Sequence, residues 1–112
     1  MEEIITSVYE TLGGGYSECV YQSALEVELR LRNIPYNRAT IHVQYKGYSV
    51  GELYTDIVVD NKCILELKAV KRLTDDHMNQ LKMYMKHLEI TEGYLVNFGD
   101  TLTIQHITPH AL

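Results

Sequence analysis

Asp56, Glu66 and Lys68 are the residues of this chain whose types and spacing could do chemistry. Ile57-Val58-Val59 and Cys63-Ile64-Leu65 are apolar and rich in β-branched residues, and the polar trio Asp60-Asn61-Lys62 between them suits a turn. The segment reads as a β-hairpin. A three-residue loop pairs Val59 with Cys63, Val58 with Ile64, Ile57 with Leu65 and Asp56 with Glu66, and directly opposed residues share a face. One face then carries Tyr54, Asp56, Val58, Ile64, Glu66 and Lys68. The other carries Leu53, Thr55, Ile57, Val59, Cys63, Leu65, Leu67 and Ala69, and reads as core. Two opposed carboxylates repel, and burial penalises both charges. A hard divalent cation held by oxygen ligands resolves that conflict. With an ammonium alongside, such a set could activate a water for in-line attack on a phosphodiester and stabilise the charge that develops. The plain alternative is a row of solvent-facing charges on a half-exposed hairpin. Against it stand the apolar residues on both sides of Glu66-Leu67-Lys68, which make the strand look central.

The elements that must position this face follow from periodicity. Ile4, Ile5, Val8 and Leu12 fall at helical spacing from Glu2 to Leu12, ahead of Gly13-Gly14-Gly15. Ser17 is placed to cap a second helix running to about Asn33, with Val20, Ala24, Val27 and Leu31 as its apolar stripe. Thr40–Lys46 and Ser49–Val59 read as two strands about a turn at Gly47, and Cys63–Val70 as a third. Thr74-Asp75-Asp76 opens a third helix with Met78, Leu81, Met85 and Leu88 on its apolar side. Gly93–Phe98 and Thr101–Ile107 are two further strands. Helix, helix, three strands, helix, two strands is an α+β or α/β plan with one mixed sheet and helices against it.

With 112 residues, 46% hydrophobic and 22% charged, the chain fits one globular domain over 1–112. No apolar run approaches the roughly 20 residues that span a bilayer. The Met-Glu-Glu start lacks a secretory signal pattern, and Cys19 and Cys63 are isolated and read as small core residues. A soluble protein of a reducing interior, cytoplasm or nucleus, is expected. The formal charge of −5 argues against nucleic-acid binding by a broad basic surface. Basic residues do cluster locally, as Arg30, Arg32 and Arg38, as Lys68, Lys71 and Arg72, and as Lys82 and Lys86, the last pair suiting a solvated helix face.

Gly15-Tyr16-Ser17-Glu18-Cys19-Val20-Tyr21 reads GxxExxY. Together with Tyr45-Lys46-Gly47, Asp56-Ile57-Val58-Val59, Leu65-Glu66-Leu67-Lys68-Ala69, Gln80-Leu81, Tyr84 and Gly93 to Gly99, it makes the chain resemble the GxxExxY protein family, a branch of the PD-(D/E)xK nuclease superfamily. That resemblance implies a restriction-endonuclease-like core, αβββαβ, with a central mixed sheet flanked by helices. It implies Asp56 and Glu66 as metal ligands, Glu18 as a further ligand, Lys68 as the catalytic lysine, and Gln80 and Tyr84 as a QxxxY element beside the site. The cofactor implied is Mg²⁺ or Mn²⁺, and the substrate a nucleic acid, DNA ahead of RNA. Tyr9 stands where a histidine is expected, and Thr55 rather than proline precedes Asp56.

For the remaining candidates, plainer roles compete. Glu18 in a first helical turn also complements the helix dipole. Tyr21, on the same helical side, could pack or hydrogen-bond at the site edge. His77 shares a helix side with Gln80 and Tyr84 but suits a satisfied surface histidine, and His42, His87, His106 and His110 show no ligand spacing. Two rival functions remain: a non-catalytic nucleic-acid- or protein-binding module that retains the fold, for which a homodimer is an option, and a metal held purely for structure.

Overall fold

The computed structural model describes residues 1–108. Helices α1 (Glu2–Leu12) and α2 (Glu18–Leu31) are followed by strands β1 (Tyr36–Asn37), β2 (Thr40–Tyr45), β3 (Tyr48–Tyr54), β4 (Ile57–Val59) and β5 (Cys63–Lys68). Helix α3 (Asp75–Leu88) then leads to β6 (Glu92–Phe98) and β7 (Leu102–Ile107). The main sheet has the order β1-β4-β5-β6-β7. Only β5 and β6 are parallel, joined by the α3 crossover, while β1–β4, β4–β5 and β6–β7 are antiparallel. The sheet is mixed, as expected, and helices cover both faces.

Ile57, Val59, Cys63, Leu65 and Leu67 pack with Tyr94, Val96 and Phe98 against α1 and α2. Val58, Ile64 and Leu95 pack against Leu81, Tyr84 and Met85 of α3 and against Ile41. The site face of the hairpin is therefore a second core layer. The charged residues emerge where that layer ends.

Four expectations need correction. The strand expected over Ser49–Val59 is two strands. Thr55 donates its amide to Ala39 O (3.0 Å), and its buried Oγ1 accepts the Ala39 amide (3.0 Å), so the chain changes sheets there. Strands β2 and β3 form a separate two-stranded sheet, and the two-residue β1 takes the edge beside β4. The three strands expected before α3 are five. In α2 the buried stripe is Tyr21, Leu25 and Leu29, while Val20 and Val27 are exposed and Leu31 is 73% exposed. Ala24 is partly buried at the edge of the packed face. Finally, Cys63 is buried but Cys19 is exposed.

Local chemistry explains the ends of these elements. Gly13, at φ 71, ends α1 and donates its amide to Tyr9 O at 2.7 Å. Thr74 caps α3, its hydroxyl accepting the His77 amide while His77 Nδ1 accepts the Thr74 amide at 3.0 Å. Asp60 and Asn61 take φ 52 and 54 in the β4–β5 turn, a conformation their short polar side chains tolerate. Ser17 occupies the α2 N-cap position without a side-chain capping bond.

Candidate active site

The β4–β5 register is that read from the turn: Val59 with Cys63, Val58 with Ile64 and Ile57 with Leu65. Regular pairing ends one residue short of Asp56, and side-chain bonds continue it. Asp56 Oδ2 accepts the Leu67 amide at 2.8 Å, and Glu66 Oε1 accepts the Asp56 amide at 3.4 Å. Each carboxylate thus bonds the backbone of the opposite strand. Glu66 is only 2% exposed, with Leu65 and Leu67 fully buried on either side.

Burial and mutual repulsion set the electrostatics. The Glu66 carboxyl is pushed up to about 8, first by burial and then by the Asp56 charge, with Lys68 and the Asp56 amide opposing. Asp56 is raised by burial, opposed by the Leu67 amide and the Lys68 charge. Glu18 raises both carboxyls further, so its charge bears on the pair from the start of α2. One turn along α2, Gln22 Nε2 donates to Asp56 O at 3.3 Å and ties this helix to the hairpin.

Lys68 ends β5, and its ammonium donates to Gln80 Oε1 at 3.3 Å. Among the described residues no ion pair within 4.0 Å involves Lys68. The ammonium's hydrogen bond goes to a neutral amide, while its charge acts on both carboxyls from beyond ion-pair distance. Tyr84 is buried one turn beyond Gln80, and its phenol is raised by burial and by the Glu66 and Asp56 charges, with Gln80 opposing. Gln80 and Tyr84 therefore sit with the carboxylates and the lysine. His77 caps α3 instead.

Tyr21 lies elsewhere. Its ring is fully buried and stacks on Phe98 at 4.2 Å, and its hydroxyl donates to Gly13 O (2.6 Å) and accepts the Tyr16 amide (3.3 Å). It pins both ends of the glycine loop that delivers Glu18. Tyr9 donates its hydroxyl to Gly99 O at 2.6 Å, anchoring α1 to the β6–β7 turn.

Sequence reasoning assigned no role to Asn97. Buried in β6, it donates Nδ2 to Val70 O (2.8 Å) and accepts the Val70 amide at Oδ1 (3.0 Å), fixing the chain two residues past Lys68. The signal was a lone amide in an otherwise apolar strand, which must find partners when buried. The basic cluster of Arg30, Arg32 and Arg38 does not converge: Arg30 meets Tyr36, Arg32 meets Glu28, and Arg38 Nε donates to Thr55 O at 3.2 Å. Only Arg38 bears on the site, where it lowers the Asp56 carboxyl. His110 lies outside the described residues.

Two opposed carboxylates, Glu66 buried and Asp56 half-buried, offer hard oxygen donors with excess negative charge, which fits a hard divalent cation. Among the described residues, no three His, Cys, Asp or Glu side chains converge as a ready ligand set. Asp56 and Glu66 are the pair that fits, with Glu18 contributing charge. A cleft of about 230 Å³ opens beyond the end of β5, between Gly15-Tyr16, Val70-Lys71 and Gly99.

The model of the PD-(D/E)XK nuclease superfamily matches residues 1–108, and the chain belongs to that superfamily, whose members are generally divalent-metal nucleases. No curated protein matches the chain. The crystal structure of SSO0001 superposes with a TM-score of 0.63 at 19% identity, covering 81% of this chain and 50% of that one, a likeness of fold. The chain thus spans half the length of that structure. Among the described residues, no helix is long and apolar enough to cross a membrane.

Proposed function

We propose that residues 1–112 form one nuclease-like domain of the GxxExxY branch, which hydrolyses phosphodiester bonds of DNA with Mg²⁺ or Mn²⁺. The observation that carries this reading is the opposed pair of half-buried Asp56 and buried Glu66, with Lys68 two residues along the same strand, which among the described residues forms no ion pair within 4.0 Å. A pair so placed raises its own proton affinity unless a cation joins it.

In this reading Asp56 and Glu66 would hold the divalent ion, with Glu18 adding negative charge from α2. Bound there, the ion would supply electrophilic polarisation of the phosphate and ease deprotonation of the attacking water. Lys68 donates its ammonium to the attacking water or to the oxygen on which charge builds. Gln80 holds the lysine in that position, and Tyr84 closes the apolar side. The attacking water gives its proton up to solvent, and the leaving oxygen takes one from solvent.

The test is incubation of the purified protein with single-stranded, duplex and branched DNA in Mg²⁺ or Mn²⁺, beside a Glu66→Ala control. Cleavage by the parent alone supports the reading, and equal cleavage by both removes the site from this hairpin. A second reading, a binding module that keeps the fold without cleaving, is favoured by the net charge of −5, which disfavours a broad nucleic-acid surface. Mn²⁺-dependent stabilisation of the parent without cleavage of any substrate would select it.

A further inference from the structure

We infer that the cleft beyond the end of β5 is a subsite for one unpaired nucleotide of the strand being cut, with Tyr16 stacking on its base and Lys71 holding its phosphate. The inference rests on the hydrolytic reading and names the part of the substrate that the site would grip.

The cleft, of about 230 Å³, has three walls: Gly15 and Tyr16 ahead of α2, Ala69 to Lys71 after β5, and Phe98 to Asp100 at the end of β6. Each wall is pinned by a side chain bonded to its backbone. The Tyr21 hydroxyl donates to Gly13 O and accepts the Tyr16 amide, and Asn97 bonds both the amide and the carbonyl of Val70. The Tyr9 hydroxyl reaches Gly99 O and Asp100 O at 2.6 and 2.9 Å. A β-carbon at Gly14 would stand 2.9 Å from Gly99 O, so the first wall meets the third where a side chain is absent. Walls fixed in this way keep the cleft in shape before anything enters it, and binding then loses little to ordering.

The chemistry of the walls suits a nucleotide. Lys71 is exposed and, among the described residues, makes no ion pair within 4.0 Å. From Leu67 to Thr74 the chain carries Lys68, Lys71 and Arg72 and no acid, on a protein of net charge −5. Positive charge concentrated in this way attracts phosphate. Tyr16 is 48% exposed, its ring set against that of Tyr21 at 6.0 Å and 81°, which leaves aromatic surface for a base. Asp100 disfavours a phosphate at the third wall and accepts from the N–H groups of a base, so the phosphate belongs with Lys71. The volume lies below the roughly 300–1,000 Å³ of sites that enclose a drug-sized ligand, which admits one base and not a base pair. A base enters such a cleft only when it is unpaired.

Position ties the cleft to the chemistry. Ala69 follows Lys68 directly, and Tyr16 stands two residues before Glu18, whose charge bears on both Asp56 and Glu66. A strand with its scissile phosphate at the carboxylate pair thus sets a neighbouring nucleotide over the end of β5.

The test measures equilibrium binding by fluorescence anisotropy with metal chelated, using a labelled single strand of mixed sequence and the blunt duplex made from it. The parent is compared with Tyr16→Ala, Tyr16→Phe, Lys71→Ala and, as a control at an exposed position of α3, Lys82→Ala. Single-strand affinity should fall about tenfold in Tyr16→Ala and by less in Lys71→Ala, the latter with a shallower salt dependence. Tyr16→Phe and Lys82→Ala should bind as the parent does, and duplex affinity and melting temperature should stay unchanged throughout. In Mg²⁺, Tyr16→Ala and Lys71→Ala should raise KM for the single strand and leave kcat near the parent's. A parent that binds no single strand, or parent-like affinity in either Tyr16→Ala or Lys71→Ala, overturns the inference. So does an equal loss of single-strand and duplex affinity. Cleft-dependent binding by a protein that cleaves nothing leaves the subsite standing and removes the hydrolytic reading. Cleavage by the parent, with affinity and KM unchanged in both variants, does the reverse.

Discussion

Asp56 Oδ2 accepts the amide of Leu67 at 2.8 Å, so the first carboxylate is anchored to the residue that separates Glu66 from Lys68. The bond fixes the separation of the two acids and occupies one Asp56 oxygen, leaving the other for a cation. It also makes Asp56 structural as well as chemical. Asp56→Ala removes a repelling charge but strands the amide of a fully buried residue, which costs about 1–3 kcal/mol. Asp56→Asn keeps an acceptor. Thermal melting should show the alanine variant less stable than the asparagine variant, with hydrolysis lost in both. An alanine variant as stable as the parent would show the bond contributes little.

The Glu66 carboxyl gives stability a pH signature in metal-free buffer. Its folded value of about 8 lies above the ordinary 4.5, so between these values the folded state binds more protons than the unfolded state. Stability therefore falls as pH rises through that window, by an amount on the order of a few kcal/mol, and Asp56 adds in the same direction. Melting temperature should drop from pH 5 to pH 9, and Glu66→Gln should remove most of that drop. A Glu66→Gln profile parallel to the parent's would contradict the burial of an ionising Glu66.

The contact between Lys68 Nζ and Gln80 predicts an ordering of variants. Lys68→Ala should lower turnover severely, to a small but measurable residual rate, while metal still binds. Gln80→Ala should reduce kcat by less, with KM little changed, because the lysine remains but loses its support. The double variant should be no worse than Lys68→Ala alone. Additive losses would place Gln80 in direct contact with the reacting groups.

Asn97→Leu tests the fixing of the chain beyond Lys68. It deletes both bonds to Val70 and leaves that backbone unpartnered, at about 1–3 kcal/mol for an orphaned polar group. Denaturant unfolding should register this loss, and a neutral result would mean that water replaces the amide.

The site hairpin was legible because Asp60-Asn61-Lys62 can form only a short turn, and that turn sets the opposition of Asp56 and Glu66. The sheet change at Thr55 was not, since alternation runs unbroken from Leu53 to Ile57. A long-range bond pair to Ala39 makes the break. Helix α2 carries two apolar stripes about one residue apart, and periodicity cannot choose between them. The stack of Tyr21 on Phe98 and its hydroxyl bond to Gly13 decide for Tyr21, Leu25 and Leu29. His77 looked like a neighbour of Gln80, but its ring is used in capping α3.

Titration calorimetry with Mn²⁺ on the parent and on Glu66→Gln, at pH 6 and pH 8, tests the central claim most directly. If Asp56 and Glu66 form the cation site, the parent binds more tightly at pH 8 than at pH 6, because the ion must displace the Glu66 proton, and Glu66→Gln binds weakly at both. Equal binding by parent and variant, or no binding by the parent, would contradict it.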